Sequence, residues 1–181
     1  MIPKDRPRIE RKTTEQLLRL RKVSDPVCLV GIRGYYSNTM GAKGNDVGIY
    51  DDCIVLVSPN VHAAFNANVD PSRLGWNSSA RKPMAQLKAG VYRYKIGQHG
   101  ISRGNPYKAL VQAGPVTVMR GDKEEAGHFA INIHKGGRTT TSSEGCQTIP
   151  PQQWDAFLAL TESEMKRNNA KTLSYVLVNN S

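Results

Sequence analysis

The sequence has no uninterrupted apolar stretch of the length that a membrane-spanning helix needs, which is about 20 residues. Its opening segment, MIPKDRPRIERKTTEQ, is charged and lacks the apolar centre of a secretory signal. We therefore expect a protein without a transmembrane segment that is synthesised in the cytoplasm without a signal peptide. Hydrophobic residues still make up 39% of the 181 positions, which is enough for one domain with a substantial core.

Cysteine is scarce, and the three residues Cys28, Cys53 and Cys146 cannot all pair. Their spacings match neither a disulfide scaffold nor a metal framework. Cys28 and Cys53 lie inside the apolar runs VCLVGI and CIVLV, which predicts buried thiols, although a disulfide between them stays open. The histidines have no HxH or HExxH spacing; they are His62, His99, His128 and His134. The sequence therefore disfavours a catalytic zinc and predicts no metal.

Acidic residues are also few, since 15 Asp and Glu oppose 25 Lys and Arg for a net charge of +10. Such a charge favours polyanionic partners, namely nucleic acid, an anionic membrane surface or an acidic cell envelope. No helix-turn-helix, zinc-finger, RNP or KH pattern is present, and aromatic residues at 7% are too few for a base-stacking platform. We expect no specific nucleic-acid site, and a solvated basic face that only aids solubility is the simplest alternative.

The pattern of apolar residues predicts one α+β domain over residues 1–181 that is mostly β, without internal repeats or a linker. A Gly/Asn-rich loop over residues 34–46 would form a hairpin or the rim of a site, and residues 59–83 are expected to be irregular. The strands are predicted at 27–33, 49–58, 91–96, 107–112, 116–120, 129–134 and 173–178.

Two helices are predicted to flank the β structure. In the basic N-terminal segment, residues 1–26, either Thr13 or Thr14 caps a short helix over 15–22. The stronger helix follows Pro150 over about 152–168 and buries several apolar side chains, Trp154, Phe157, Leu158 and Met165.

The most informative segment, residues 128–150, reads HFAINIHKGGRTTTSSEGCQTIP. A period-2 apolar run ends at His134, and a Gly-rich connection then leads to Cys146. The thiolate is the attacking form of cysteine, and a nearby imidazole makes it available near neutral pH. Gly145 lets the backbone approach a substrate closely and aim its N–H groups at a developing oxyanion. The segment therefore predicts a cysteine enzyme in which His134 and Cys146 meet in an open cleft.

Alternation along the predicted strand would turn its apolar side chains to the core and its polar ones to the opposite face. The polar ones are His128, Asn132 and His134. Asn132 would either orient His134 or bond a loop backbone, and His128 would be either structural or a substrate contact. Further candidates for substrate contact carry polar groups in or near the motif; they are Tyr107, Arg138 and Glu144.

These residues resemble the signature of the L,D-transpeptidase catalytic-domain family, whose members act on bacterial peptidoglycan. In that family a strand ends in a histidine, a glycine-containing loop follows, and the motif closes on Ser/Thr-His-Gly-Cys. The matching residues are His134, Gly136, Gly137, Ser143, Gly145 and Cys146. Glu144 stands where the family usually has a second histidine, and the step from His134 to Cys146 is shorter than usual.

The resemblance implies a role for each matched residue. Cys146 would be the acyl-accepting nucleophile and His134 its base. Ser143 would buttress the turn, and the N–H groups of Gly145 and Cys146 would form the oxyanion hole. It also implies a β-sandwich or barrel with a long helix after the cysteine motif, and no cofactor.

A cysteine enzyme of this family would cleave the bond between diaminopimelate (or lysine) and D-alanine in stem peptides. Water as acceptor gives an L,D-carboxypeptidase or endopeptidase, whereas an amine gives L,D-transpeptidation with 3–3 crosslinks. The charge, the missing export signal and the missing wall-anchoring module favour hydrolysis, as in a phage endolysin that is released from the bacterial cytoplasm to the cell wall. The alternative from another class is a non-enzymatic basic module that binds wall or nucleic acid.

Overall fold

The computed structural model describes residues 1–36 and 47–180 of the chain. Within them lie the helices α1 (Arg11–Leu20) and α2 (Pro151–Arg167) and a 3-10 turn, Ile101–Arg103. The strands are β1 (Cys28–Arg33), β2 (Asp52–Val57), β3 (His62–Ala67), β4 (Trp76–Asn77), β5 (Lys82–Pro83), β6 (Gln86–Leu87), β7 (Gly90–His99), β8 (Tyr107–Gln112), β9 (Val116–Arg120), β10 (Lys123–Gly127), β11 (Ile133–Lys135), β12 (Gln147–Ile149) and β13 (Leu173–Asn179).

Eight strands form one sheet in the order β12-β11-β8-β7-β13-β1-β2-β3. Its edges meet where Asn68, just after β3, pairs with Thr148 of β12. The Asn68 N–H donates to Thr148 O at 2.8 Å, and the Thr148 N–H donates to Asn68 O at 2.7 Å. The sheet is therefore nearly closed and barrel-like, which agrees with the prediction of a mostly β, α+β chain.

The middle strands are buried on both faces, which accounts for the continuous apolar runs in the sequence. Leu29 of β1 belongs to the larger core, together with Trp154 and Phe157 of α2. Cys28 and Cys53 belong to a second core, beside Leu18 of α1. Both cysteines are buried free thiols, so the prediction of core thiols is confirmed and the open disulfide between them is not formed.

The connection between β11 and β12 brings Cys146 back to the histidine strand. These two strands run parallel, with Ile133 beside Gln147 and His134 beside Thr148. Parallel neighbours need a crossover connection, and residues 136–146 provide it. Cys146, the residue before β12, consequently lies next to Asn132, whose backbone N–H donates to the cysteine sulfur at 3.4 Å.

The strand predicted at 129–134 is wrong in its extent. Pairing begins only at Ile133, because Ala130 adopts a left-handed conformation with φ of 55° that interrupts the extended backbone. Ile131 and Ile133 are buried as expected, but Asn132 and His134 are buried too, and His128 is exposed. Simple alternation along one strand therefore does not describe this segment.

Other strands were missed or shortened. The segment HAAFNA pairs along the whole of β2 as β3, although it was predicted to be irregular, because its alanines have little intrinsic strand preference. β7 was predicted to end at Ile96 but continues to His99 through polar residues. The sequence did not predict β4, β5, β6, β10 and β12, whereas the predictions for β8 and β9 are confirmed.

The two predicted helices are present with different starts. α1 begins at Arg11 with Glu10 as its N-cap, so Thr13 and Thr14 lie inside the helix and cap nothing. The Thr14 hydroxyl instead donates to Arg11 O at 2.8 Å. α2 begins at Pro151. In the described part of the chain, no helix is long and apolar enough to cross a membrane.

The loop predicted at 34–46 falls mostly outside the described residues, since 37–46 are among those not described.

Candidate active site

Cys146 opens into a groove of about 760 Å³. The groove is lined by side chains from the segment around β5, from the turn after β7 and from the crossover between β11 and β12. Cys146 is partly exposed, whereas Cys28 and Cys53 are buried. Cys146 is therefore the cysteine that can meet a molecule bound in the groove.

His134 lies beside Cys146 with its tautomer set by the backbone. One ring nitrogen of His134 and the Cys146 sulfur lie within 4.8 Å of each other. The Nδ1 atom lies 2.8 Å from the carbonyl oxygen of Lys135. A carbonyl can only accept, so Nδ1 carries the proton and Nε2 keeps the lone pair, which is the tautomer that a base toward a thiol needs. The group that orients His134 is thus the Lys135 carbonyl.

Tyr107, a candidate substrate contact from the sequence, lies against the same nitrogen of His134. Its hydroxyl is 3.1 Å from His134 Nδ1 and donates to Lys135 O at 3.4 Å. Tyr107 is not among the residues that line the groove. The structure therefore shows Tyr107 as a support for the imidazole, and its role as a substrate contact stays a prediction.

The hydrogen bonds of the Asn132 side chain go to the backbone of Gln112 and to His99. Its side-chain oxygen accepts from the Gln112 N–H at 3.1 Å. This bond points the amide nitrogen at His99, where it lies 3.1 Å from Nδ1. Of the two roles considered for Asn132, the structure shows the bond to a backbone group and adds a contact to a second histidine.

Sequence reasoning missed His99. Its ring stacks on that of His134, with centroids 4.0 Å apart and an interplanar angle of 12°. Since Asn132 donates to His99 Nδ1, that nitrogen carries the lone pair and Nε2 carries the proton. Among the described residues, His99, His134 and Cys146 are also the one group placed to hold a metal ion.

The turn before Cys146 is braced by Ser143. The Ser143 hydroxyl donates to Cys146 O at 2.6 Å and accepts from the Gly145 N–H at 3.0 Å. Gly145 has φ of 140°, and a Cβ there would lie 2.6 Å from Ala85 O, so the position requires glycine. Because the Gly145 N–H is already bonded, the oxyanion hole implied by the resemblance needs correction: this donor is occupied, which leaves the Cys146 N–H.

Burial holds the resting pair in its neutral form. Desolvation raises the pKa of Cys146 to about 11, against smaller lowering effects of the Asn132 N–H and of Arg103. Desolvation, and next the neighbouring His99, lower the pKa of His134 to about 4. The Cys146 thiol donates to the carbonyl oxygen of Ala130 at 3.4 Å. At neutral pH the site therefore holds a thiol beside a neutral base, not a preformed thiolate–imidazolium pair.

The remaining predicted contact residues separate into two sets. His128 and Glu144 are exposed and line the groove. Arg138 is exposed but is not among the lining residues, and its role as a substrate contact stays a prediction. Arg103, which the sequence did not indicate, lines the groove and lies 3.9 Å from Glu144.

Arg103 and Glu144 should set the reactivity of Cys146 in opposite directions. Arg103 stabilises the thiolate and Glu144 opposes it. We expect Arg103→Gln to slow alkylation of Cys146 by iodoacetamide at pH 8, and Glu144→Gln to accelerate it, by about two- to fivefold each. Rates would be followed by mass spectrometry of the Cys146 peptide.

The matched control is Arg19→Gln, an exposed charge removal on α1 that should leave the rate unchanged. The changes in alkylation rate caused by Arg103→Gln and Glu144→Gln should shrink at 1 M salt, because both charges are exposed. Equal rates in the two groove variants at low salt would contradict the assigned charges.

No family model, curated protein or solved structure matches the chain. The likeness to the L,D-transpeptidase family therefore depends on the motif residues alone.

Proposed function

We propose that this protein is a peptidoglycan-active cysteine enzyme that cleaves the L,D bond between diaminopimelate (or lysine) and D-alanine of stem peptides. The observation that carries the proposal is the placement of Cys146 and His134 in one open groove, with the Lys135 carbonyl holding His134 in the tautomer of a base. Such a pair is what nucleophilic thiol chemistry requires.

The chemistry begins from the neutral pair. The Cys146 thiol gives its proton to His134 Nε2 as the sulfur attacks the carbonyl carbon of the third stem residue. The tetrahedral intermediate collapses, the bond to the D-alanine nitrogen breaks, and the imidazolium returns the proton to that amine. A thioester remains on Cys146 and D-alanine leaves.

The low pKa of His134 suits this sequence of proton transfers. An imidazole whose pKa is lowered to about 4 is neutral through the physiological range and gives up an acquired proton readily. It is a weak base for a thiol whose pKa is about 11, so proton transfer has to accompany the attack on the carbonyl. A bound substrate that displaces water from the groove would strengthen the interactions of the developing charges.

The charge of the groove fits an anionic peptide. Lys82, Arg103 and Arg120 line it, against the single lining carboxylate of Glu144. Arg120 is engaged by Glu125 at 3.2 Å and by Pro83 O at 2.7 Å, which leaves Lys82 and Arg103 as the cations nearest to solvent. Stem peptides carry several carboxylates, and the net charge of +10 favours attraction to an anionic wall as a whole.

Resolution of the thioester decides the biological outcome. Water would release a shortened stem, and at a crosslinked D-alanine it would sever the crosslink. We propose hydrolysis, with the protein acting as a lytic enzyme of the phage endolysin type, and the strong positive charge supports it because it favours association with an anionic envelope. Resolution by an amine from a second stem is the competing outcome.

The test is incubation of the purified protein with sacculi, followed by mass spectrometry of the muropeptides. Conversion of tetrapeptide stems to tripeptide stems, with release of D-alanine, is the expected result. New 3–3 crosslinks would show that the protein is a transpeptidase and not a hydrolase. An unchanged muropeptide profile would refute the proposed enzymatic function.

A further inference from the structure

Three potential metal ligands converge in the groove from three strands of the sheet. His99 is the last residue of β7, His134 is the middle residue of β11, and Cys146 precedes β12. One ligand atom of each lies within 4.8 Å of the other two. In tetrahedral zinc the ligand atoms stand roughly 3.3 to 3.8 Å apart, given Zn–N distances of about 2.0 Å and a Zn–S distance of about 2.3 Å. Coordination of one ion by all three also requires His99 to rotate out of its stack on His134, where the rings are 4.0 Å apart and inclined by only 12°, because the lone pairs of parallel rings do not converge. With that rotation the ligand atoms must approach by about 1 to 1.5 Å.

The hydrogen bonds of the two histidines leave each with one nitrogen able to coordinate. The Lys135 carbonyl fixes the proton of His134 on Nδ1, which is the outer bond that orients metal-binding histidines. Nε2 of His134 is then the ligand. At His99 the unprotonated nitrogen is Nδ1, whose present contact is a donated bond from Asn132 at 3.1 Å. A metal would take the place of that neutral N–H donor.

The position of the cluster favours an open site. Cys146 and His99 are only partly buried, and all three residues line the same groove. Three protein ligands with a fourth position facing solvent are the arrangement that zinc adopts outside closed structural sites. A thiolate with two imidazoles selects zinc and related transition ions over magnesium or calcium, which prefer oxygen.

We propose that His99, His134 and Cys146 bind a divalent transition ion of the zinc type and that this binding reversibly blocks the thiol. The ion takes the Cys146 sulfur as thiolate and releases one proton to solvent, with no change of oxidation state. The same event occupies Nε2 of His134, so both members of the pair are lost to catalysis. The binding stands on the geometry alone, whereas the inhibition rests on the function proposed above.

The test uses the full-length chain after treatment with a chelator, titrated with Co²⁺ as a spectroscopic probe for zinc. We expect one equivalent to produce a thiolate-to-cobalt charge-transfer band and the intense visible bands of a four-coordinate ion, both removed by Zn²⁺. Cys146→Ala should abolish the charge-transfer band, and His99→Gln should weaken Co²⁺ affinity at least about tenfold. His62→Gln, outside the groove, should change nothing.

A charge-transfer band that is insensitive to His99→Gln would mean an adventitious thiolate complex and would overturn the site. Should His99→Gln fail to fold, the parent chain still decides: one equivalent of Zn²⁺ must protect Cys146 from iodoacetamide. Unprotected Cys146 in the presence of Zn²⁺ would equally overturn the site.

Cleavage of sacculi by the chelated protein separates this proposal from the preceding one. If the chelated protein cleaves sacculi but gives no cobalt band, the proposed enzyme function stands and the proposed metal site is refuted. If the chelated protein is inactive but gives the cobalt band, the proposed metal site stands and the proposed thiol enzyme is refuted. Stimulation of cleavage by Zn²⁺ would overturn the inhibitory role.

Discussion

Cys146→Ala should abolish the release of D-alanine from sacculi, with a loss of about a thousandfold or more. The reason is that no acyl-enzyme can form without the sulfur, so only the residual effect of substrate binding remains. Cys146 is partly exposed in the groove and its sulfur makes only long hydrogen bonds, 3.4 Å each, to the Asn132 N–H and the Ala130 carbonyl, so the substitution should lower the melting temperature only slightly. Cleavage would be measured by mass spectrometry of muropeptides over a time course.

The matched control is Cys28→Ala, which removes a thiol from the second core and not from the groove. It should keep full activity per folded molecule while lowering the thermal midpoint, because it leaves a small cavity. Equal cleavage by Cys146→Ala and the parent protein would eliminate the thiol mechanism, whatever Cys28→Ala shows.

His134 is expected to be nearly as sensitive. His134→Gln keeps a polar side chain in the same buried position but has no lone-pair nitrogen able to accept the thiol proton, so activity should fall by about 10² to 10⁴. The same variant should keep iodoacetamide labelling of Cys146 at high pH, where hydroxide replaces the base. That pattern would separate a lost base from a misplaced sulfur.

The proximity of His134 and Cys146 could be predicted because both residues lie on one short segment. His134 and Cys146 flank a Gly-rich connection, and a parallel crossover of that length returns the chain beside its starting strand. The prediction of the second helix succeeded for a similar local reason, since Pro151 at its first turn and buried residues at helical spacing mark it.

What the sequence did not show depends on strand pairing and backbone geometry. His99 reaches His134 because β7 and β8 pair in a register that puts His99 opposite Tyr107, and no local pattern reports that register. The acceptor for His134 Nδ1 is a main-chain carbonyl, which has no residue signature. The hydrogen bond from the Gly145 N–H to the Ser143 hydroxyl depends on the conformation of the turn, which the residue types do not report.

The position of Gly136 gives a prediction of comparable size for stability. A Cβ at Gly136 would overlap the hydroxyl oxygen of the buried Tyr50 and would approach Thr141 O and Thr148 Cβ to 3.1 Å each. We expect Gly136→Ala to lower the free energy of unfolding by about 2 to 3 kcal/mol, because Tyr50 is buried and its hydroxyl is hydrogen-bonded to Gly137 O. Urea denaturation followed by tryptophan fluorescence would measure it.

Tyr50→Phe supplies the partner for a double-mutant cycle. By itself it removes the hydrogen bond from the Tyr50 hydroxyl to Gly137 O, which is 2.7 Å long, at a cost of about 1 kcal/mol. It also removes the atom that Gly136→Ala would overlap. The loss in the free energy of unfolding of the double variant should therefore be smaller than the sum of the two single losses by at least about 1 kcal/mol.

Gly114→Ala is the reference for adding a methyl group where space exists, since its Cβ would meet only Arg93 atoms at 3.7 Å or more. Its effect should lie within about 0.5 kcal/mol of the parent protein. Strict additivity in the Gly136 and Tyr50 cycle would show that the loop after His134 relaxes away from Tyr50. In that case the Lys135 carbonyl would move with the loop, and His134 would no longer be held in its tautomer. The rate of cleavage per folded molecule should then also fall.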